Sequence, residues 1–559
     1  MGHINRPARH IPTFEVGLGL AIVPSEEVEM AAGKLRYAVG VALVVGGCVG
    51  DIGDPNADGV WPGGAPGPGL LTCEDGAPPP EARLRRLSHP EYKATVEAIL
   101  GLDETEAELD LAVEGGGEVF TNEDAALWVR DDQAAGYRRT AARLVERAVN
   151  DGTLASRWPC IAEGGEACGR ELVAGFGRAA FRRPLRDDEV DRYRSLYQLA
   201  EAELGAGRGG ATVVRAMLQS PHLIYRSERG PLDGQGVVQL TDHELASALS
   251  YHYTGAPPDA ELAQLADRGE LYVNLAAQAE RLATDPRWAA QRMRFLRELF
   301  EVAHVAELTK DEMTFPEFAA LQPLYDEELE AFLEDMYARE PTVGHLFDYD
   351  GELVPELAET YDGARRGLFL RGAFLASHSG NGITSPVTRG MVVRTRLLCG
   401  TVPPPPEDAN TSLPEPEPGM SRRELIESAT QTGSCEGCHT MINDLGFAFD
   451  GYNAVGLAQT VDDLEQPIDT AGSLTGTDVD GAFSGVGDLL DRLRDSDQVT
   501  ACLTEQAFRY SAGRPAVETD RCATTAMVEA SGRGASLNLE RLLRTYPLTP
   551  SFRERQVNR

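Results

Sequence analysis

The sequence has no uninterrupted apolar run of about 18 residues, the length that a membrane-spanning helix needs. Basic residues are also scarce: 52 Lys and Arg stand against 88 Asp and Glu, which gives a formal net charge of −36. This charge argues against nucleic acid and anionic membrane surfaces as direct partners, because both repel an acidic protein. It is compatible with a basic redox partner, although a solvated acidic surface explains the same charge.

Several catalytic signatures are missing. The sequence contains no Gly-x-Ser-x-Gly elbow, no phosphate-binding glycine loop and no His-Glu-x-x-His zinc helix. The glycine-rich string at residues 205–210 follows a helical segment rather than a strand, so it is predicted to be a loop. The usual motifs of serine hydrolases, P-loop proteins and zinc peptidases are therefore absent.

Cysteine is uncommon, with nine residues in 559, yet two of the nine lie in the string Cys435-Glu436-Gly437-Cys438-His439. At this spacing two thiols can add to the vinyl groups of one haem while the adjacent histidine ligates the iron. The alternatives are a zinc knuckle and a disulfide with a bystander histidine. A zinc site needs a second ligand pair, and a redox Cys-x-x-Cys belongs to a strand-to-helix turn. Neither context is evident, so we predict covalent haem c.

The start of the chain contains a pattern typical of secretion. Lys34 and Arg36 precede a short apolar run, which ends in small residues before Cys48 and resembles a bacterial lipobox. We expect a mis-called start at residues 1–29, a lipoprotein signal peptide at 30–47 and lipidation of the Cys48 thiol. The alternative is a short buried apolar segment. Residues 48–80 are dense in Gly, Pro and Asp and are predicted to be a flexible tether.

Export to the cell envelope, either periplasmic or attached to the outer membrane, also suits the remaining six cysteines, because disulfides persist there. Cys160 and Cys168 flank a short polar loop, and Cys502 and Cys522 bracket one helix and a turn. Both pairs are candidates for local disulfides. Cys73 and Cys399 remain as a third pair by elimination only. The alternative is six buried free thiols.

Apolar residues recur at helical spacing through nearly all of the chain after residue 80, and strand patterns are scarce. Ser88 followed by Pro90 predicts a helix that ends near Gly101. The best strand candidate is residues 236–240. We therefore expect a mainly α protein, made of several small helical modules packed into an elongated or globular assembly. The predicted module boundaries are 81–150, 160–230, 231–363, 364–465 and 485–556.

Five stretches resemble, in order, the domain-of-unknown-function families numbered 1587, 1595, 1592, 1588 and 1585, which occur together in exported bacterial cytochrome-like proteins. The stretches are residues 83–92, 176–185, 218–226 with 240–251, 384–390 with the Cys-x-x-Cys-His motif, and 502–514. The resemblance implies export and a cytochrome-c-like haem module at 364–465, but no particular reaction. Asn443-Asp444 replaces the Asp-Pro of the family pattern, which is expected to change the loop below the haem.

Within this module His439 is expected to be the proximal iron ligand, with its other ring nitrogen donating to a backbone carbonyl. We choose His378 as the sixth ligand, because the family pattern also has histidine there, and Met391, Met420 and Met527 remain as other candidates. The alternative role for His378 is a loop histidine bonded to backbone. Arg389 and Arg394 are candidates for contacts with the haem propionates, although such arginines more often form surface ion pairs.

The sequence thus predicts an exported, lipid-anchored, c-type cytochrome-like protein that transfers electrons to an unidentified redox partner protein. One alternative is a haem oxidoreductase, for example a peroxidase. Another is a binding or scaffold lipoprotein whose Cys-x-x-Cys-His motif carries no haem.

Overall fold

A computed structural model of the protein describes residues 79–557, apart from 115–118, 206, 232, 352, 362–364, 405–411 and 432–434. The expected mis-called start at 1–29, the signal peptide at 30–47, Cys48, Cys73 and nearly all of the 48–80 tether lie outside the described residues. Within the described part of the chain, no helix combines the length and apolar character needed to cross a membrane.

The described residues form 23 α-helices and three two-stranded antiparallel sheets, so the protein is mainly α, as predicted. The helices are α1 His89–Leu100, α2 Asp131–Asn150, α3 Thr153–Arg157, α4 Gly165–Phe181, α5 Asp187–Leu204, α6 Arg208–Leu218, α7 Pro221–Ile224, α8 Asp242–Thr254, α9 Ala260–Asp267, α10 Leu271–Leu282, α11 Arg287–Leu299, α12 Phe318–Arg339, α13 Val343–Asp348, α14 Pro355–Ala358, α15 Gly372–Ser377, α16 Pro386–Val392, α17 Arg422–Thr430, α18 Glu436–Phe447, α19 Gly485–Arg494, α20 Asp497–Ala512, α21 Arg521–Ser531, α22 Leu539–Thr545 and α23 Pro550–Arg553.

Each sheet joins two short strands. In the first sheet β1 Arg83–Arg86 pairs with β2 Tyr225–Glu228. In the second, β3 Gly236–Gln239 pairs with the C-terminal β6 Glu554–Val557, and in the third β4 Ala471–Leu474 pairs with β5 Gly481–Ser484. The first two sheets therefore tie together parts of the chain that are far apart in sequence.

Helix α1 begins and ends at the residues that its sequence predicts. The Ser88 hydroxyl accepts a hydrogen bond from the Glu91 amide, and the Glu91 carboxylate accepts one from the Ser88 amide at 2.9 Å. Gly101 ends the helix in the left-handed conformation, with φ of 73°. Helices α8 and α17 begin with the same kind of capping box, so local sequence sets several of the helix starts.

Two hydrophobic cores organise the helices. The first contains Tyr92 of α1, Leu144 of α2 and Phe176 of α4. The second takes nearly all of its residues from Leu240 to Phe552 and includes residues of helices α8 to α16 and α18 to α23. The helix that carries the Cys-x-x-Cys-His motif contributes Leu445 to this second core, so this helix is anchored in a core that it shares with neighbouring segments.

The disulfides agree with the sequence predictions only in part. Cys160 and Cys168 are bonded, as their short connecting loop suggests. A second disulfide joins Cys399 to Cys502. Cys502 is buried in α20, where its Sγ lies 3.4 Å from the carbonyl oxygen of Arg396 in the segment that precedes Cys399.

The expected pairs Cys502–Cys522 and Cys73–Cys399 are therefore wrong. Packing of residues 393–398 against α20 brings Cys399 to Cys502, with 5.3 Å between their Cα atoms. Cys522 lies on the next helix, α21, and is disulfide-bonded, but not to Cys502.

Candidate functional site

The Cys-x-x-Cys-His motif forms the first turn of helix α18. Cys435 is the residue just before the helix, and Cys438 and His439 follow three and four positions later. Residues at this spacing lie on one face of a helix, so the two sulfurs and the imidazole share a side of α18. Both thiols are free and half-buried, whereas Cys160, Cys168, Cys399 and Cys502 are bonded.

The buried half of α18 is held by very close packing against α16. A Cβ atom added at Gly390 would lie 1.9 Å from the carbonyl oxygen of Ile442, and one added at Gly446 would lie 1.8 Å from that of Pro386. Neither distance leaves room for a methyl group, so the backbones of the two helices are in contact. These glycines fix the position of the motif-bearing helix relative to the second core.

Asp444, one of the two residues that depart from the family pattern, gives α18 a polar attachment. One of its carboxylate oxygens accepts a hydrogen bond from the Ser473 amide of β4 at 2.9 Å. Its other oxygen accepts one from Arg423 of α17 at 3.4 Å, and the Arg423 guanidinium lies over the Phe447 ring. Asp444 thus links α18 to both α17 and β4 through its carboxylate.

The imidazole of His439 is oriented by a chain of side-chain hydrogen bonds. The Thr430 hydroxyl donates to the Ile426 carbonyl at 2.7 Å, so its oxygen is the acceptor for the Asn443 amide nitrogen at 2.9 Å. This orientation turns the Asn443 carbonyl oxygen toward His439 Nδ1, 2.9 Å away. Nδ1 must therefore carry the ring proton, which leaves the lone pair of Nε2 free to ligate a metal.

Two expectations about this region are corrected. The partner of His439 Nδ1 is the side chain of Asn443, not a backbone carbonyl. Asn443 and Asp444 also belong to the continuous helix α18 instead of a loop, because the helix runs on to Phe447. Asn443 comes four residues after His439, the spacing at which two side chains meet on a helix.

His378 does not have the environment of an iron ligand. It is 2% exposed, at the end of α15, and burial lowers its pKa to about 4, so the ring is neutral. Its Nε2 lies 2.8 Å from the Phe300 carbonyl oxygen, to which it donates a hydrogen bond. The structure does not support His378 as the sixth ligand; it matches the alternative of a histidine bonded to backbone.

Arg389 is likewise committed to backbone. Its fully buried guanidinium donates to the carbonyl oxygens of Leu375, Phe449, Tyr452 and Asn453 and to the hydroxyl of Ser379, at 2.8–3.1 Å. Burial lowers the pKa of Arg389 to about 10. These bonds join the end of α15 to the turn after α18, so the structure does not support a haem propionate contact by Arg389.

Arg394 is the better candidate for an anionic partner. It is buried, and its Nη2 lies 3.8 Å from Met441 Sδ on α18, while Nη1 donates to the Thr475 carbonyl at 3.2 Å. No carboxylate among the described residues forms an ion pair with it, and its Nε has no hydrogen-bond partner there. Burial lowers the pKa of Arg394, as expected for a cation without a close counter-ion.

The residues of the motif fit covalent haem. Two free thiols and an imidazole with an unprotonated Nε2 are the groups that attach haem c and ligate its iron. Among the described residues, no three His, Cys, Asp or Glu side chains converge as a metal site, so the zinc alternative gains no support. Sequence reasoning missed Asn443 and Thr430, although the i,i+4 spacing of His439 and Asn443 was a usable signal.

Five family models match the chain in order, and each is described as a protein of unknown function. They are DUF1587 at residues 85–150, DUF1595 at 168–228, DUF1592 at 240–362, DUF1588 at 365–462 and DUF1585 at 480–545. The Cys-x-x-Cys-His motif lies within the DUF1588 match, whose family name, PSCyt3, is of the cytochrome type. No curated protein and no solved structure matches the chain. The chain belongs to the multi-domain, cytochrome-like proteins that combine these five families.

Proposed function

We propose that this protein is an exported, lipid-anchored c-type cytochrome-like protein that transfers electrons through one covalently bound haem. The observation that carries the proposal is the state of the motif: two free thiols beside a histidine whose Nδ1 proton is held by Asn443. Cys435 and Cys438 would hold the haem by thioether bonds, and His439 Nε2 would ligate its iron. Arg394 would neutralise a propionate.

Haem supplies a reversible one-electron couple when it is bound. The protein contributes orientation, because the hydrogen-bond chain through Asn443 keeps the His439 ring in one tautomer. It also contributes a fixed position, because the close contact of α16 with α18 restrains the helix. The first turn of α18 is exposed at Glu436 and Gly437, which suits electron exchange with a separate protein at the surface.

We favour electron transfer over the alternative of a haem oxidoreductase because the first turn of α18, which carries the motif, is exposed at Glu436 and Gly437. Three cavities in the described part of the chain are lined by residues other than Cys435, Cys438 and His439. The redox partner is proposed to be a protein, and a basic surface on it would complement the net charge of −36.

Haem attachment is tested by expressing the protein in a host that matures c-type cytochromes and recording its visible spectrum. We expect a reduced α-band that persists after denaturation, because the haem is covalent. The Cys435→Ala/Cys438→Ala variant is expected to lose this band, whereas the matched Cys160→Ala/Cys168→Ala variant keeps it. A wild-type protein with no α-band and with both motif thiols open to alkylation would overturn the proposal.

The type of haem chemistry is tested on the same preparation by adding carbon monoxide to the reduced protein. No spectral change indicates a filled sixth position and supports electron transfer. Rapid carbon monoxide binding indicates an open position and favours the oxidoreductase instead.

The lipid anchor is tested separately by membrane fractionation, comparing wild type with Cys48→Ala. We expect the variant to move from the membrane fraction to the soluble fraction, because it lacks the thiol that would carry lipid. Wild-type protein that is already soluble would contradict the anchor.

A further inference from the structure

A small, strongly charged cavity lies far in sequence from the Cys-x-x-Cys-His motif. Its volume is about 30 Å³. Four arginines and two glutamates line it: Arg83, Arg85, Arg226, Arg294, Glu91 and Glu228. They come from β1, α1, β2 and α11, and Tyr510 of α20 completes the wall. The cavity therefore lies where four of the five matched segments meet.

Arg226 has no adequate partner in this cavity. Its side chain is 4% exposed, and no hydrogen bond of its guanidinium to another described residue is found. Its ion-pair partner, Glu91 Oε1, lies 3.5 Å from Nη2, and its guanidinium lies over the Tyr251 ring, 4.7 Å from the ring centroid. A buried cation left in this state is costly, because burial removes the water that would solvate it.

Arg85, beside it, is only loosely bonded. Its Nη atoms reach the carbonyl oxygens of Ser511, Ala512 and Asn122 at 3.3–3.4 Å. Its Nε has no hydrogen-bond partner among the described residues and lies 4.0 Å from Oδ1 of Asp124, a residue that also pairs with Arg83. Burial and the charge of Arg226 lower the pKa of Arg85. Two adjacent guanidinium groups thus have unused N–H donors in the same buried space.

The cavity also has an excess of positive charge. Glu228 is shared between Arg83 at 2.8 Å and Arg555 at 2.5 Å, so it cannot compensate a further cation. Arg83 is additionally paired with Asp124, and Arg294 with Glu298. When these outer partners are included, five arginines face four carboxylates. This excess occurs in a chain that has 36 more acidic than basic residues, so it is not a consequence of composition.

We propose that this cavity binds one small monovalent anion, of the size of a chloride ion, through the free N–H groups of Arg85 and Arg226. A water molecule needs at least about 10–15 Å³ of such a volume, so about 30 Å³ accommodates one small anion or two waters. The single missing negative charge selects the anion over waters. Because four matched segments form the cavity wall, the anion stabilises their assembly, and its role is independent of haem.

The first test is thermal or denaturant unfolding of the full chain at constant ionic strength, with sodium gluconate progressively replaced by sodium chloride. Gluconate is too large for the cavity. Above its dissociation constant, each tenfold rise in chloride is expected to raise the folding equilibrium constant tenfold, as for one bound ligand. No dependence on chloride would overturn the proposal.

Arg226→Met removes the excess charge while keeping a long side chain, and it is expected to abolish the chloride dependence. Arg229→Met is the matched control, because Arg229 is an exposed residue just beyond the same strand and does not line the cavity. This control is expected to keep the wild-type chloride response. Equal responses in both variants would refute the site.

A measurement on wild-type protein covers the case in which Arg226→Met does not fold. Crystals grown with sodium bromide should show an anomalous peak inside the cavity, within hydrogen-bond distance of Arg85 and Arg226. Ordered water alone at this position, or bromide only on the outer surface, would refute the proposal.

Discussion

The disulfide between Cys399 and Cys502 closes the part of the chain that contains the haem motif. The two cysteines are 103 residues apart, whereas Cys160 and Cys168 are separated by 8. In the chain-entropy model, a disulfide stabilises a protein by restricting its unfolded state, and the effect grows with the logarithm of the loop length. A loop of about 100 residues contributes about 4.7 kcal/mol, and a loop of 8 about 2.5 kcal/mol.

We therefore expect Cys399→Ala/Cys502→Ala to lower the free energy of unfolding by about 4–5 kcal/mol. The matched variant Cys160→Ala/Cys168→Ala is expected to lose about 2–3 kcal/mol. The difference of about 2 kcal/mol depends only on the ratio of the two loop lengths, so it is a sharper quantity than either loss alone.

The assay is urea unfolding without reductant, followed by tryptophan fluorescence. Trp158 packs against the first core and Trp288 lies inside the second, so the signal reports on both. If the cores unfold separately, the Cys399–Cys502 variant is expected to shift only the transition of the second core. Dithiothreitol provides a control: when wild type and both variants are all reduced, none of them has a disulfide that closes a loop, so their stabilities should converge.

Two results would refute the reasoning. One is a larger loss in the Cys160–Cys168 variant than in the Cys399–Cys502 variant. The other is a Cys399–Cys502 variant that, with both proteins in dithiothreitol, remains less stable than wild type, which would place its effect in native packing instead of loop closure.

Three further predictions concern the site. Gly446→Ala is expected to destabilise the protein by about 1–3 kcal/mol or more, because its methyl group overlaps the α16 backbone. The control Gly437→Ala should be neutral, because its methyl group meets open space. Equal urea midpoints for the two variants would contradict this. In haem-loaded protein, Asn443→Asp is expected to lower the reduction potential, because a carboxylate raises the basicity of His439. Each tenfold change in the stability of the ferric state relative to the ferrous state shifts the potential by about 60 mV. An unchanged midpoint in a redox titration would contradict this. Burial raises the pKa of Asp450 to about 7, so its stabilising contribution is present at low pH and is lost as pH rises to about 7. Asp450→Asn should therefore be more stable than wild type at pH 8, by at most about 4 kcal/mol, and a midpoint difference that does not grow from pH 5 to pH 8 would contradict this.

Local sequence signals predicted the helices well where capping and periodicity agree. The capping box at Ser88 and the left-handed Gly101 define α1 at both ends, because each depends on residues within one turn. The Cys399–Cys502 bond could not be predicted in this way. It depends on how the segment before Cys399 packs on α20, and spacing along the chain carries no information about that contact.

The two misassigned side chains, His378 and Arg389, show the same limit. Histidine and arginine in a suspected haem module suggest a ligand and a propionate contact, since these residue types perform both roles. In the fold, however, both are buried beside main-chain carbonyls that need donors, and Phe300 and Phe449 supply two of these acceptors. Residue type defines which bonds a side chain can make, while burial decides which of them it makes.

Asn443 illustrates the opposite case, because a departure from the family pattern explains how the imidazole of His439 is oriented. The family pattern has aspartate here, and an aspartate four residues after His439 could accept the same Nδ1 hydrogen bond. The hydrogen bond to Nδ1 would then be the same in this chain and in proteins with the aspartate, and only the charge beside the imidazole would differ. A neutral amide leaves the histidine less basic than a carboxylate would, and with haem bound as proposed this would favour the ferrous over the ferric state. In the proposed haem-bound protein this substitution would raise the reduction potential, while Thr430 ensures that the amide oxygen faces the ring.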